Sequence, residues 1–165
     1  MFFVEPSAGT GTFFDLLPVS NRLGIDINPK RKDILSKDFL TITELGNDPD
    51  QTVIIGNPPF GKRAKMGIAF FNHGANLGDI IEFIVPVNFR KYLVHKQLNE
   101  SMRLISKMEL PRDAFYLESG SSYSVNTEFQ IWTRLPSEHS DMRQYASLPI
   151  RHKDFQLWQY NNTVA

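Results

Sequence analysis

The sequence contains no cysteine in its 165 residues. That excludes a disulfide framework, a thiolate nucleophile and any zinc site built on sulfur. It also lacks an excess of either charge: 18 Lys and Arg balance 18 Asp and Glu, for a formal net charge of zero. A polyanion is therefore not held by overall charge, and any nucleic-acid contact must come from a local basic patch. No apolar run approaches the ~18–20 residues of a membrane span. The opening Met1-Phe2-Phe3-Val4 is too short, and too poor in positive charge, for a signal peptide. What the chain does have is aromatic bulk, 12% of residues with 13 Phe, which argues against disorder. The length fits one domain with a sizeable core, and the expectation is a soluble, cytoplasmic globular domain.

Apolar runs alternate with helical patterns along the chain. Strands are expected at residues 2–4, 23–27, 52–55, 80–87, 104–110 and 125–132. In the last of these, Phe129 and Ile131 alternate against Glu128 and Gln130. Helices are expected at 12–17, 30–36 and 64–77, and from Asn88, a plausible N-cap, to about residue 101. Ile68, Phe71, Ala75 and Leu77 give the third of these an apolar face. Such alternation predicts an α/β fold, a doubly wound, mostly parallel sheet covered on both faces, with the final strand pair antiparallel. Residues 1–135 would form this core, and 136–165 a C-terminal extension of weak pattern. Ligands in open sheets of this kind bind beyond the carboxyl ends of the strands. The unusual segments lie there: residues 5–11, Asp26, Asp38-Phe39 and residues 57–61.

The first of these, Ser7-Ala8-Gly9-Thr10-Gly11, joins a strand to a helical turn. Glycine here lets backbone approach a ligand without a Cβ collision. It is an incomplete dinucleotide fingerprint, because Phe14 stands at the third glycine position, and a tight turn without a ligand explains it as well. Asp26 ends the second strand, where a carboxylate can take both hydroxyls of a ribose or, equally, cap the helix expected after Asn28.

Gly56-Asn57-Pro58-Pro59-Phe60-Gly61-Lys62 matches the spacing of a phosphate loop. It fails chemically, since Arg63 replaces the magnesium-binding hydroxyl and two prolines remove N–H donors. Asn-Pro-Pro-Phe offers something else. The Asn57 side-chain carbonyl and the Pro58 main-chain carbonyl can both accept from one exocyclic NH₂. Such an amine is a poor nucleophile because its lone pair is delocalised into the ring, and two acceptors favour pyramidalisation and direct that pair at an electrophile. Phe60 can stack on a base, flipped out of any duplex beforehand. A proline-stiffened loop with Phe60 capping the core is the plainer alternative.

These runs together resemble the class I S-adenosylmethionine-dependent methyltransferases. Residues 3–11, Phe-Val-Glu-Pro-Ser-Ala-Gly-Thr-Gly, are similar to motif I, and residues 24–29, Gly-Ile-Asp-Ile-Asn-Pro, to the acidic second motif. Asn57-Pro58-Pro59-Phe60 resembles the catalytic motif of the amino-methyltransferases acting on adenine N6 and related groups. The resemblance implies a seven-stranded Rossmann-like methyltransferase sheet and S-adenosylmethionine as cofactor. It implies that the methionine end lies over Glu5, Pro6, Ser7, Ala8, Gly9 and Gly11. Asp26 would take the ribose and Asp38 the adenine amine, with Ile27 and Phe39 as apolar walls. Asn57, Pro58, Pro59 and Phe60 would be catalytic, with Lys62, Arg63 and Lys65 on substrate phosphates.

Two features depart from the family pattern: nothing resembles the usual segment before motif I, and no target-recognition domain is recognisable after the last strand. With neutral charge, this predicts a further domain or subunit for target recognition. The leading expectation is methyl transfer to adenine N6 in DNA, ahead of RNA. The alternatives are a non-catalytic methyltransferase-like partner module, a protein glutamine N-methyltransferase and, last, a nicotinamide oxidoreductase. Arg90, Lys91, His95 and Lys96 add positive charge, and residues 111–124, with Phe115, Tyr116 and Tyr123, sit where a substrate-contacting loop would be. His73, His95, His139 and His152 lack metal-ligand spacing.

Overall fold

The structure, a computed structural model, describes residues 1–116, 120, 122–136, 138–147, 153 and 154. His152 and part of the 111–124 stretch lie outside them.

The β-branched run Val53-Ile54-Ile55 lies in a strand buried along its whole length, β4 (Thr52–Gly56), as a strand covered on both faces requires. Around it the sheet is ordered β3-β2-β1-β4-β5-β9-β6. Its other members are β1 (Phe2–Glu5), β2 (Arg22–Asp26), β3 (Leu35–Ser36), β5 (Ile80–Pro86), β6 (Arg103–Glu109) and β9 (Thr127–Thr133). The first five strands in that order pair in parallel, and β9 runs antiparallel between β5 and β6. A small hairpin, β7 (Phe115–Tyr116) with β8 (Ser122–Tyr123), forms a separate sheet.

From β1 the chain moves outward through β2 and β3, then returns to lay β4 on the other side of β1. The order reverses between β1 and β4, and their carboxyl ends open the crevice where such sheets bind ligands.

Helix α1 (Lys65–Leu77) buries Ile68, Phe71, Ala75 and Leu77 on the larger core, as its apolar stripe predicts. Phe71 meets Trp132 of β9 edge-on, with ring centroids 5.1 Å apart. The other face carries a smaller core, in which Phe14, Leu17 and Ile34 pack with Val53 and Ile55.

Three local expectations are corrected. Residues 30–36 form no helix; Leu35–Ser36 pairs with β2 as β3. Only Ile34 of that run reaches the core, which is too little apolar contact to offset helix nucleation. Arg31 instead pairs with Asp15 at 2.6 Å and Asp33 at 2.7 Å. Residues 12–17 contain only the 3-10 turn Phe14–Leu16.

The helix expected from Asn88 is broken into the 3-10 turn Val87–Arg90 and a short α2 (Tyr92–His95), separated by extended Lys91. Breaking a helix frees carbonyls. Arg143 collects those at and beyond the early end of α2: its guanidinium donates to the carbonyls of His95, Leu98, Asn99 and Met102 at 2.6–2.8 Å. Met142 and Arg143 thus pack beside the sheet, the Met142 N–H donating to the Leu104 carbonyl at 2.8 Å. His95 is buried rather than part of an exposed basic face.

The alternation in β9 has an unexpected sense. Glu128, Gln130 and Trp132 are buried, whereas Phe129 and Ile131 are half-buried on the opposite face. The polar groups are inside because they satisfy one another. Gln130 donates to Glu128, and the Trp132 indole N–H donates to the Gln130 Oε1 at 2.8 Å.

Candidate active site

At the crevice, the loop after β1 and the loop after β4 are joined. Ser7 Oγ donates to the Asn57 carbonyl at 3.1 Å. The first loop turns on Gly9 and Gly11 at φ 51° and 86°, and a Cβ at Gly11 would lie 2.5 Å from the Arg31 guanidinium.

Asp26 fixes this loop to β2. Its Oδ2 accepts from the Gly9 N–H at 2.8 Å and its Oδ1 from the Asn28 N–H at 2.7 Å. The capping role expected of Asp26 is therefore real, on a turn rather than a helix. Each oxygen still has a lone pair for a ligand hydroxyl, because a carboxylate offers about four acceptor positions.

After β4 the backbone passes Gly56 at φ 152°, where a Cβ would come within 3.1 Å of the Glu5 side chain. Asn57 and Pro59 are exposed, Pro58 is buried and Phe60 half-buried. The Phe60 carbonyl accepts from the Met66 and Gly67 N–H groups at 3.2 and 3.4 Å, which pins the loop to the start of α1. Among the described residues, neither the Asn57 amide nor the Pro58 carbonyl has a hydrogen-bond partner.

A cavity of about 430 Å³ occupies the crevice, within the ~300–1,000 Å³ typical of small-molecule sites. Of the residues singled out in the sequence, Pro6, Ser7, Asp26, Ile27, Asp38, Phe39, Asn57 and Pro59 line it. Asp38 gives one oxygen to the Leu40 N–H at 2.9 Å. Ile27 is an open lip, 75% exposed, whereas Phe39 is floor, 1% exposed and edge-on to His73 at 5.0 Å.

The remaining candidates do not line the cavity. Glu5 and Ala8 are buried, Gly9 and Gly11 shape the turn, and Pro58 and Phe60 support the loop. Lys62 and Lys65 are exposed, and the Arg63 side chain lies outside the described residues. Leu40, Met66 and Phe70 complete the wall and were not foreseen. Phe70 carried a signal: it is a large apolar residue off the main stripe of α1, and it is buried because its ring meets Phe39 at 5.4 Å.

Two buried groups titrate abnormally. Burial pushes the Glu5 carboxyl up to about 7, against a backbone hydrogen bond from Phe14 and with help from the Asp26 and Asp15 charges. One of its oxygens has no partner. Burial and the neighbouring Arg143 push His95 down to about 4; its Nδ1 accepts from the Gln144 N–H at 2.8 Å and its Nε2 has no partner.

The linkage signs are opposite. Between pH 4.5 and 7 native Glu5 holds a proton the unfolded chain has released, so its contribution to stability falls as pH rises. Between pH 4 and 6.5 the unfolded chain protonates His95 while the native state does not, so stability rises with pH. The two offset each other in wild type. Glu5→Gln is expected to unmask the His95 slope, with urea-unfolding stability rising by up to about 3 kcal/mol from pH 4 to 6.5. A flat profile in that variant would mean His95 is not held neutral.

Among the described residues no three His, Asp or Glu are grouped to hold a metal, and no helix is long and apolar enough to cross a membrane. No protein-family model and no curated protein sequence matches the chain. Solved structures do match. The type I restriction enzyme EcoKI M protein superposes with TM-score 0.59 at 16% identity, over 88% of this chain and 42% of that one. The 23S rRNA methyltransferase ErmE gives 0.55 at 15%, over 82% and 62%. A protein assigned as an RNA methyltransferase from Pyrococcus horikoshii gives 0.55 at 16%, over 82% and 75%. This chain thus spans less than two thirds of the first two. At these identities the likeness establishes the fold: a Rossmann-like methyltransferase sheet with an antiparallel end.

Proposed function

We propose that the chain binds S-adenosylmethionine in the crevice and transfers its methyl group to an exocyclic amine of a nucleic-acid base, adenine N6 in DNA first. The observation that carries this is the free Asn57 amide on the wall of the cavity that Asp26 and Asp38 also line.

The cavity's chemistry fits the cofactor. Asp26 has acceptor capacity for a ribose diol, Asp38 has an uncommitted oxygen for an adenine amine, and Ile27, Leu40 and Phe39 offer apolar contact. Once bound, S-adenosylmethionine supplies an electrophilic methyl group. Asn57 Oδ1 and the Pro58 carbonyl accept from the target NH₂ and hold its lone pair out of the ring plane. Phe60 supports the loop and stacks on the base. Lys62, Arg63 and Lys65 follow directly and hold backbone phosphates. The zero net charge favours a further domain or subunit that supplies target recognition.

Calorimetric titration with S-adenosylhomocysteine tests the cofactor site, and labelled-methyl transfer to adenine-containing DNA and RNA tests the acceptor. Micromolar binding with transfer to base amine is the expected result. A folded chain that binds no S-adenosylhomocysteine would leave the non-catalytic partner module as the better account, and transfer to glutamine peptides alone would reassign the substrate.

A further inference from the structure

A second cavity, of about 260 Å³, opens where the chain leaves β5, ends β6 and enters β9. Its frame is set by backbone hydrogen bonds: the Val87 N–H donates to the Asn126 carbonyl at 3.1 Å and the Leu110 N–H to the Thr127 carbonyl at 3.0 Å.

The charges on its wall divide into two groups. Arg90 is committed to two carboxylates, Glu109 at 2.9 Å and buried Glu128 at 3.5 Å, and the extra negative charge of this triad is balanced by Arg112. Arg112 is exposed and forms no ion pair among the described residues, and the Asn126 side chain makes no hydrogen bond among them. Thr127 is 1% exposed, yet its hydroxyl has no partner. A buried hydroxyl without a partner is costly and calls for an explanation. Among the described residues, the unpaired Arg112 guanidinium and two neutral donors can hold a monoanionic oxygen group, on a wall whose formal charge is balanced.

Its location says where that anion comes from. Thr127 pairs with Pro86 at the end of β5, on the same sheet edge as Asn57. It lies two strands over and two residues further along, about 12 Å at the usual strand spacing and rise. The Val87–Arg90 turn also abuts the catalytic loop: a Cβ at Gly67 would lie 3.1 Å from the Phe89 ring and 3.9 Å from the Phe60 Cα.

We infer that this cavity holds a phosphodiester of the nucleic-acid substrate, a linkage flanking the base presented to Asn57. The inference rests on the functional reading above and identifies a backbone-positioning contact for that site. Phosphate contacts of this kind set register and carry no base information.

The test measures binding of labelled single-stranded oligodeoxynucleotide and oligoribonucleotide of one adenine-containing sequence to the full chain, by fluorescence anisotropy over a salt series. Arg112→Gln is expected to weaken binding roughly tenfold and to lower the salt slope by about 0.7, the single-strand value for one phosphate. Thr127→Val should weaken binding several-fold while unfolding stability is unchanged or raised, since its hydroxyl makes no bond in the free protein. S-adenosylhomocysteine affinity should not move in either variant. Loss on DNA and RNA alike supports a phosphate contact, and loss on one alone adds a preference for that sugar.

Undiminished oligonucleotide binding in Arg112→Gln overturns the inference while leaving the functional reading intact. Destabilised Thr127→Val overturns it too, by giving the hydroxyl a structural role. A stronger effect of Arg112→Gln on polyglutamate than on oligonucleotide would reassign the cavity to a protein anion. A wild-type chain that binds neither S-adenosylhomocysteine nor oligonucleotide overturns both proposals.

Discussion

Asn57→Ala is expected to lower methyl transfer by about two to four orders of magnitude, the range lost with a positioned acid–base or charge-stabilising group. S-adenosylhomocysteine affinity should change less than about threefold, because truncating an exposed amide leaves the carboxylates of the crevice in place. The separation rests on how Asn57 is held. Its backbone is tied from both sides, by the Ser7 hydroxyl on its carbonyl and by β4 before it, while its side chain is free. Removing the side chain therefore removes an acceptor without loosening the loop, and single-turnover rates with tritiated cofactor would read the loss directly. Asn57→Asp is the sharper companion variant: it keeps an acceptor but adds charge, and recovery of transfer above the alanine level would point to hydrogen-bond acceptance as the role. Full turnover in the alanine variant would remove Asn57 from the mechanism.

Much of the fold was legible because its signals were local and strong. The β-branched run of β4, the apolar stripe of α1 and the glycine and proline turns each left one reasonable structure. Misreadings arose where long-range partners decided. The pattern after Asn88 is helical locally, but Arg143, some fifty residues on, satisfies the carbonyls left where α2 stops at His95 and makes that early end tolerable. Glu128 and Gln130 read as an outer face until each other and Trp132 are known to be their partners. In the crevice, residues before and after glycine turns were found from sequence. Leu40, Met66 and Phe70 were not, because a wall made of ordinary apolar side chains has no signature until the cavity exists.

Asp26→Ala is expected to abolish cofactor binding, and Asp26 also has a structural duty that must be separated from it. The carboxylate accepts from the Gly9 and Asn28 N–H groups, and hydrogen bonds to a charged group contribute about 1.5–3 kcal/mol each. The alanine variant should lose roughly 2–4 kcal/mol of stability before any ligand is considered, less than the sum of two such bonds because Asp26 is half-buried, Asn28 is exposed and water takes up part of the loss. Binding is read as a difference on top of that baseline. At 100 times its dissociation constant, a ligand raises stability by about 2.7 kcal/mol. Urea unfolding of wild type with S-adenosylhomocysteine should show that increment, and Asp26→Ala should show almost none. Asp38→Asn serves as the intermediate case, keeping an acceptor for the Leu40 N–H while altering the oxygen left for the ligand, and should retain part of the increment. If Asp26→Ala lowers the baseline yet keeps the full increment, its carboxylate is only the fastening of the glycine turn to β2. The cofactor would then be held by other groups in the crevice. Loss of both, with the increment intact in a variant destabilised away from the crevice such as Leu104→Ala in β6, would assign Asp26 the two roles at once.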